Sequence, residues 1–176
     1  SEFKPTQMRP ESERASFQGY VRHNGKVGTR NFIGILSTVN CSATVVNKIA
    51  EWFTPERLKD YPNVDGVVAF SHGIGCGMEM TGEPMQLLRR TMAGYVRHPN
   101  LAAALVIGLG CERNQLKGLM EQEDLQEGST LHTFIMQETG GTRKTIEAGV
   151  AAVKALLPDA NKARRQTVSA SHLTVG

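Results

Sequence analysis

The chain has 176 residues, 40% hydrophobic and 21% charged, which suits one domain with a real core rather than a disordered or fibrous protein. Its 20 basic and 17 acidic residues leave a net charge of +3, too mild and too dispersed to argue for nucleic acid. No apolar stretch approaches the roughly 20 residues that span a bilayer, and the polar start SEFKPTQMRPESERAS has no apolar signal core, so a cytoplasmic protein is expected.

Residues 1–16 hold charges and prolines without periodicity and read as a linker, with Ser1-Glu2-Phe3 resembling a cloning remnant. FQGYVRHNGKVGTRN follows as a short hairpin entry, its turn at Asn24-Gly25. NFIGILSTV (31–39) is a near-continuous, β-branched apolar run, as expected of a strand buried on both faces. ATVVNKIAEWF is a helix, with Asn40 or Ser42 as its cap, ended near Tyr61-Pro62-Asn63. VDGVVAF (64–70) is a second buried strand, and residues 82–98 a helix with Pro84 in its first turn. His98-Pro99-Asn100 breaks the chain before a third strand at 104–110 and the short helix RNQLKGLM. A fourth strand spans 129–137, and a helix over 139–157 ends at Pro158. RRQTVSASHLTVG begins another apolar run whose HLTVG strand has no continuation, so the sequence is expected to stop at a domain boundary, with 17–168 as one domain and 169–176 as the start of the next.

Strand–helix alternation with two-face buried strands predicts an α/β fold: a Rossmann-like three-layer sandwich around a mainly parallel sheet of four or more strands. Periodicity leaves the strand order open.

Cys41, Cys76 and Cys111 carry the strongest chemical signal. They stand 35 residues apart twice, 76 − 41 and 111 − 76, about one βα unit each. Each therefore falls just past the carboxyl end of a parallel strand, where open α/β sheets place ligands. An odd count without CxxC makes no disulfide framework, leaving core packing or metal ligation as readings. Soft thiolates select iron, iron–sulfur clusters or zinc, and three ligands leave an open position. The helix N-termini after Cys41 and Cys111 are expected to lower the thiol pKa values. His72 is a turn histidine or a site residue; Glu112 and Gln115 face the same pocket or cap a helix. QETGGTRKT, with Arg143 and Lys144, has the look of a phosphate cradle, although no P-loop or GxGxxG pattern accompanies it.

GYVRHNGKVGTRNFIGILSTVNCSAT, VDGVVAFSHGIGCGM and LVIGLGCERNQ resemble the middle domain of the altronate/galactarate dehydratase family, over roughly residues 17–176. VNCSAT and GTRN are nearer the altronate branch. The resemblance implies an iron-dependent hydro-lyase that dehydrates a sugar acid to a 2-keto-3-deoxy acid, with Fe²⁺, alone or in an iron–sulfur cluster, on Cys41, Cys76 and Cys111. It carries over Arg30, Asn31, His72 and Glu112 as catalytic candidates, and Arg30, Asn40 and Gln115 as substrate-binding ones. The implied partners are the sugar-acid substrate, N- and C-terminal domains of the same polypeptide and a second copy in a homodimer, without nucleic acid or membrane; the 176 residues alone are expected to be inactive. Alternative readings are a sulfo-lyase of the same family, a non-catalytic nucleotide- or phosphate-binding module built on TGGTRK, and an interaction domain whose cysteines are core.

Overall fold

A computed structural model of the chain describes residues 4–174, so the assignment of residues 1–3 falls outside it, as do Val175 and Gly176 at the end of HLTVG. The buried apolar runs become four parallel strands: β3 (Phe32–Ser37), β4 (Gly66–Phe70), β5 (Leu101–Gly108) and β6 (Leu131–Ile135). They stand in the order β4-β3-β5-β6. Two further strands before them, β1 (Ser16–Val21) and β2 (Val27–Gly28), form the expected hairpin, with Gly25 at φ +78° in its turn.

Helices cover both faces, giving the three-layer α/β sandwich. α1 (Ala43–Trp52) and α5 (Thr142–Ala160) lie on one face, while α2 (Glu83–Val96) and α3 (Leu116–Gln122) lie on the other. The period-2 alternation of β3 explains why both layers are needed. Ile33 and Ile35 point into the α1/α5 core and Leu36 into the α2/α3 core, all at 2% exposure or less. Each such side chain contributes about 1.5–3 kcal/mol by leaving water.

Several boundaries differ from the sequence expectations. The fourth strand ends at Ile135 and turns directly into α4 (Met136–Thr139), closed by Gly140 in the left-handed region. α5 runs through Pro158 to Ala160, because a proline in the last turn removes only one intrahelical bond. Neither Ser42 nor Asn40 caps α1 with its side chain; the Ser42 hydroxyl donates inward to Val39 O and Ile107 O, both at 3.0 Å. The final segment does form a strand, but earlier than HLTVG: β7 (Gln166–Ser169) pairs antiparallel with β1, Ser16 opposite Ser169. Ala170 N also donates to Ala15 O, so both chain ends join one small sheet, β2-β1-β7.

That small sheet packs at the amino ends of the parallel strands. Arg22 Nε donates to Pro99 O at 2.7 Å, and Asn100 Oδ1 accepts from the backbone of Thr29 and Arg30. Asn31, wholly buried, starts β3 here: its N–H donates to Asp65, and its amide donates to Asn63 O at 2.7 Å and Ala160 O at 2.9 Å. Replacing Asn31 by Ala strands two buried carbonyls and is expected to cost about 2–3 kcal/mol in urea unfolding. Arg30→Ala, which breaks only an exposed 3.5 Å contact to Asp65, is expected to cost under about 1 kcal/mol. Equal losses in the two variants would contradict this division of labour.

Candidate functional site

The strand order creates a switch point. β3 connects through α1 to β4 on one side, whereas β5 connects through α3 to β6 on the other, and β3 and β5 are neighbours. Open α/β sheets bind ligands in the crevice outside the carboxyl ends of such a pair. Cys41 follows β3 and Cys111 follows β5, so the two flank this crevice. Cys76 arrives from the far side on the 71–82 loop after β4.

Gly75 brings that loop in. Its carbonyl accepts from the N–H groups of both Arg113 and Asn114 at 3.1 Å, and Asn40 N donates to the adjacent Ile74 O at 2.9 Å. A Cβ on Gly75 would stand 2.4 Å from Thr38 O, and its φ is +100°, so only glycine fits. The three loops are thus laced together by backbone bonds, with all three thiols exposed. Desolvation first, then the neighbouring Cys76 and Cys111 sulfurs, push the Cys41 thiol above its ordinary pKa. The expected lowering by the following helix N-terminus is overturned at Cys41, where desolvation, aided by the neighbouring sulfurs, sets the direction. Among the described residues, no three His, Cys, Asp or Glu side chains have donor atoms gathered closely enough for a metal ion. The chemistry of the donor set is nevertheless that of a soft metal's ligands: three thiols on three loops held at one edge of the sheet.

Glu112 and His72 are brought to this end and are already engaged. The Glu112 carboxylate, 3% exposed, accepts from Thr38 Oγ1 at 2.8 Å, Leu109 N at 3.1 Å and Gly110 N at 2.6 Å. His72 Nδ1 accepts from Ile74 N at 3.3 Å, which leaves Nε2 to donate to Ser37 O at 3.0 Å. Gln115 donates its amide to Gly110 O and Glu112 O, and Asn40 Oδ1 accepts from the Cys41 thiol at 3.7 Å.

Arg30 and Asn31 are not part of this cluster. Both precede β3, six residues long, and so stand about 20 Å from the cysteines, at the opposite end of the sheet. The TGGTRK stretch divides between the end of α4 and the start of α5, with Arg143 turned to Glu147 at 3.2 Å. A concavity of about 750 Å³, lined by Lys26, His98, Asn100 and His172, is also at the opposite end. The cysteine edge is instead an open ledge. Sequence reasoning missed Thr38 and Asn114, the latter wholly buried with its amide on Thr38 O at 3.0 Å. Only their neighbourhood to the cysteines in sequence could have pointed to them.

Residues 19–161 match the family described as D-galactarate dehydratase/altronate hydrolase, second domain. The chain belongs to that family. It is 37% identical over 162 residues to altronate dehydratase of Escherichia coli (strain K12), covering 90% of this chain and 31% of that enzyme. Altronate dehydratase of Bacillus subtilis (strain 168) is 31% identical over 165 residues, 94% of this chain and 32% of the enzyme. Galactarate dehydratase (L-threo-forming) of Escherichia coli is 33% identical over 173 residues, 95% of this chain and 33% of the enzyme. The chain thus spans about a third of the length of these relatives. No helix among the described residues is long and apolar enough to cross a membrane.

Two predictions follow from the clamps. Glu112→Gln turns an amide N–H toward a backbone donor and is expected to cost about 2–3 kcal/mol in denaturant unfolding; a variant as stable as the parent would dismiss the clamp. Desolvation holds the His72 pKa below its ordinary value, against the opposing pull of its backbone bonds. As pH falls the unfolded chain therefore takes the proton first. The stability from neutral His72 is complete above about 6.5 and is lost as pH falls from there toward the lowered folded value. His72→Gln should flatten the pH dependence of unfolding free energy over that window; an unchanged slope would show that His72 does not contribute.

Proposed function

We propose that this domain supplies the metal-holding wall of a cytoplasmic sugar-acid dehydratase, with Fe²⁺, alone or within an iron–sulfur cluster, on Cys41, Cys76 and Cys111. The substrate is altronate or galactarate and the product a 2-keto-3-deoxy sugar acid. The observation that carries this reading is the placing of three exposed thiols on three loops that backbone bonds tie together at the carboxyl edge of the sheet. Names of relatives that cover most of this chain support the hydro-lyase class.

When bound, the metal supplies Lewis acidity at the leaving hydroxyl and stabilises charge that develops beside the substrate carboxylate. The chain's own residues do the rest of what falls to this wall. Cys41, whose pKa is raised by desolvation and then by its neighbours, must release its proton on ligation, so loading strengthens as pH rises. Asn40, whose oxygen accepts from the protonated Cys41 thiol, loses that donor on ligation and is then free to turn its amide to a substrate oxygen. Gln115 spends its NH₂ on backbone carbonyls and keeps its oxygen free to accept from a substrate hydroxyl.

The α-proton needs a base with a free lone pair facing the crevice. His72 and Glu112 are both committed to holding loops. We therefore assign the base to the part of the polypeptide beyond these residues, and the 176-residue chain alone to an inactive domain.

The test is anaerobic. The full-length protein is purified without oxygen, iron and sulfide are counted per chain, and formation of 2-keto-3-deoxy acid from altronate and galactarate is measured. Replacing each cysteine by serine is expected to lower both bound iron and turnover at least about tenfold, the scale of losing one site ligand. Full iron content and activity in all three variants would return the cysteines to surface packing and end the proposal.

A further inference from the structure

We propose that Arg113, rather than the sequence candidate Arg30, receives the carboxylate of the sugar acid at the cysteine ledge. The inference rests on the dehydratase reading and deepens it. Pulling a proton from the carbon beside a carboxylate builds negative charge on that carboxylate, so a cation must be held against it. A guanidinium does this best, because its fork matches both oxygens at once. Arg30 is disqualified by position and by its contact with Asp65.

The turn after β5 shows where the replacement stands. Burial alternates along it: Cys111 and Arg113 are exposed, whereas Glu112 and Asn114 are buried. The thiol and the guanidinium therefore leave the turn on its solvent side while their neighbours anchor it from within. The Arg113 backbone is fixed, since its N–H donates to Gly75 O at 3.1 Å between the Glu112 clamp and the Asn114 amide. Its head group is uncommitted: Nη1 rests 3.1 Å from the thioether of Met80, a weak acceptor, and no carboxylate lies within 4.0 Å among the described residues. The other cations nearby are less suited. Arg89 is held by Asn114 and Gln122, Arg143 by Glu147, and the stem of Lys144 lies over Gly140, offering a point charge rather than a fork.

The test uses the full-length protein with Arg113→Gln and Arg113→Lys, alongside Lys144→Ala and Arg30→Ala. Steady-state KM and kcat are measured, together with the calorimetric Kd for galactarate and altronate and the iron content per chain. Arg113→Gln is expected to raise KM and Kd by about 10- to 100-fold, the scale of losing one charge-assisted pair, with iron content unchanged. Arg113→Lys should recover part of the loss, and Arg30→Ala should leave KM and Kd alone. Unchanged KM and Kd in Arg113→Gln, while the parent protein dehydrates sugar acids, would overturn Arg113 and leave the dehydratase reading standing. Lost iron in that variant, or the rise appearing in Lys144→Ala instead, would likewise reject Arg113. A parent protein that neither binds nor dehydrates a sugar acid would take both proposals down together.

Discussion

The Glu112 carboxylate is the contact on which the cysteine ledge depends. It lies between the ends of β3 and β5, where the sheet's connections diverge and Thr38 N makes the last backbone bond to Ile107 O. Taking a carboxylate out of water costs several kcal/mol, and only partners that all donate can offset it. Thr38 Oγ1 and the N–H groups of Leu109 and Gly110 do so, at 2.8, 3.1 and 2.6 Å. Three donors around one anion also dictate a conformation: the chain from Gly108 to Glu112 must curl around its own side chain. Cys111, immediately before the glutamate, is thereby turned outward. Asn114 extends the same lock to Thr38 O, and Gly75 adds the third loop.

The two ends of the sheet serve different purposes, and polar residues alone do not tell them apart. At the amino ends, Asn31, Asp65, Asn100 and Arg22 spend nearly all their hydrogen-bonding capacity on backbone. Arg165 joins them, donating to Gln18 O and Thr29 O and so tying the small sheet together. At the carboxyl ends the inner polar groups are likewise satisfied, but an outer row of Asn40, Cys41, Cys76, Cys111 and Arg113 is left to solvent. Under the proposed function, the chemistry falls to that outward row, held in place by the inner one.

This division explains which readings the sequence allowed. The β-strands were legible because burial on both faces writes a continuous apolar run, as in FIGILS of β3. The cysteine convergence was legible because a βα unit has a characteristic length, and two equal steps of 35 residues repeat it. Strand order was not, since it depends on which side of β3 each crossover returns to, and no local pattern records that. Arg30 and Asn31 were misplaced for a related reason. A motif shows that residues are adjacent along the chain, whereas a strand of six residues carries its two ends about 20 Å apart. β7 was missed because its partner, β1, lies some 150 residues earlier, and QTVS has too little hydrophobicity to declare itself.

The crowding of three thiols is itself a physical argument about what this ledge awaits. Desolvation first, and then the repulsion between neighbouring sulfurs that lose their protons, raises the Cys41 pKa. A fold selected only for stability would relieve that by spreading the loops or burying a single cysteine. Here the opposite has been done: a left-handed glycine, a buried carboxylate and two inward amides hold the sulfur-bearing loops together. Such an arrangement supports the proposal that a cation takes the place of the protons, turning mutual repulsion into shared ligation. The strain of convergence is borne by the buried layer, and the exposed layer is left free to change its ligands.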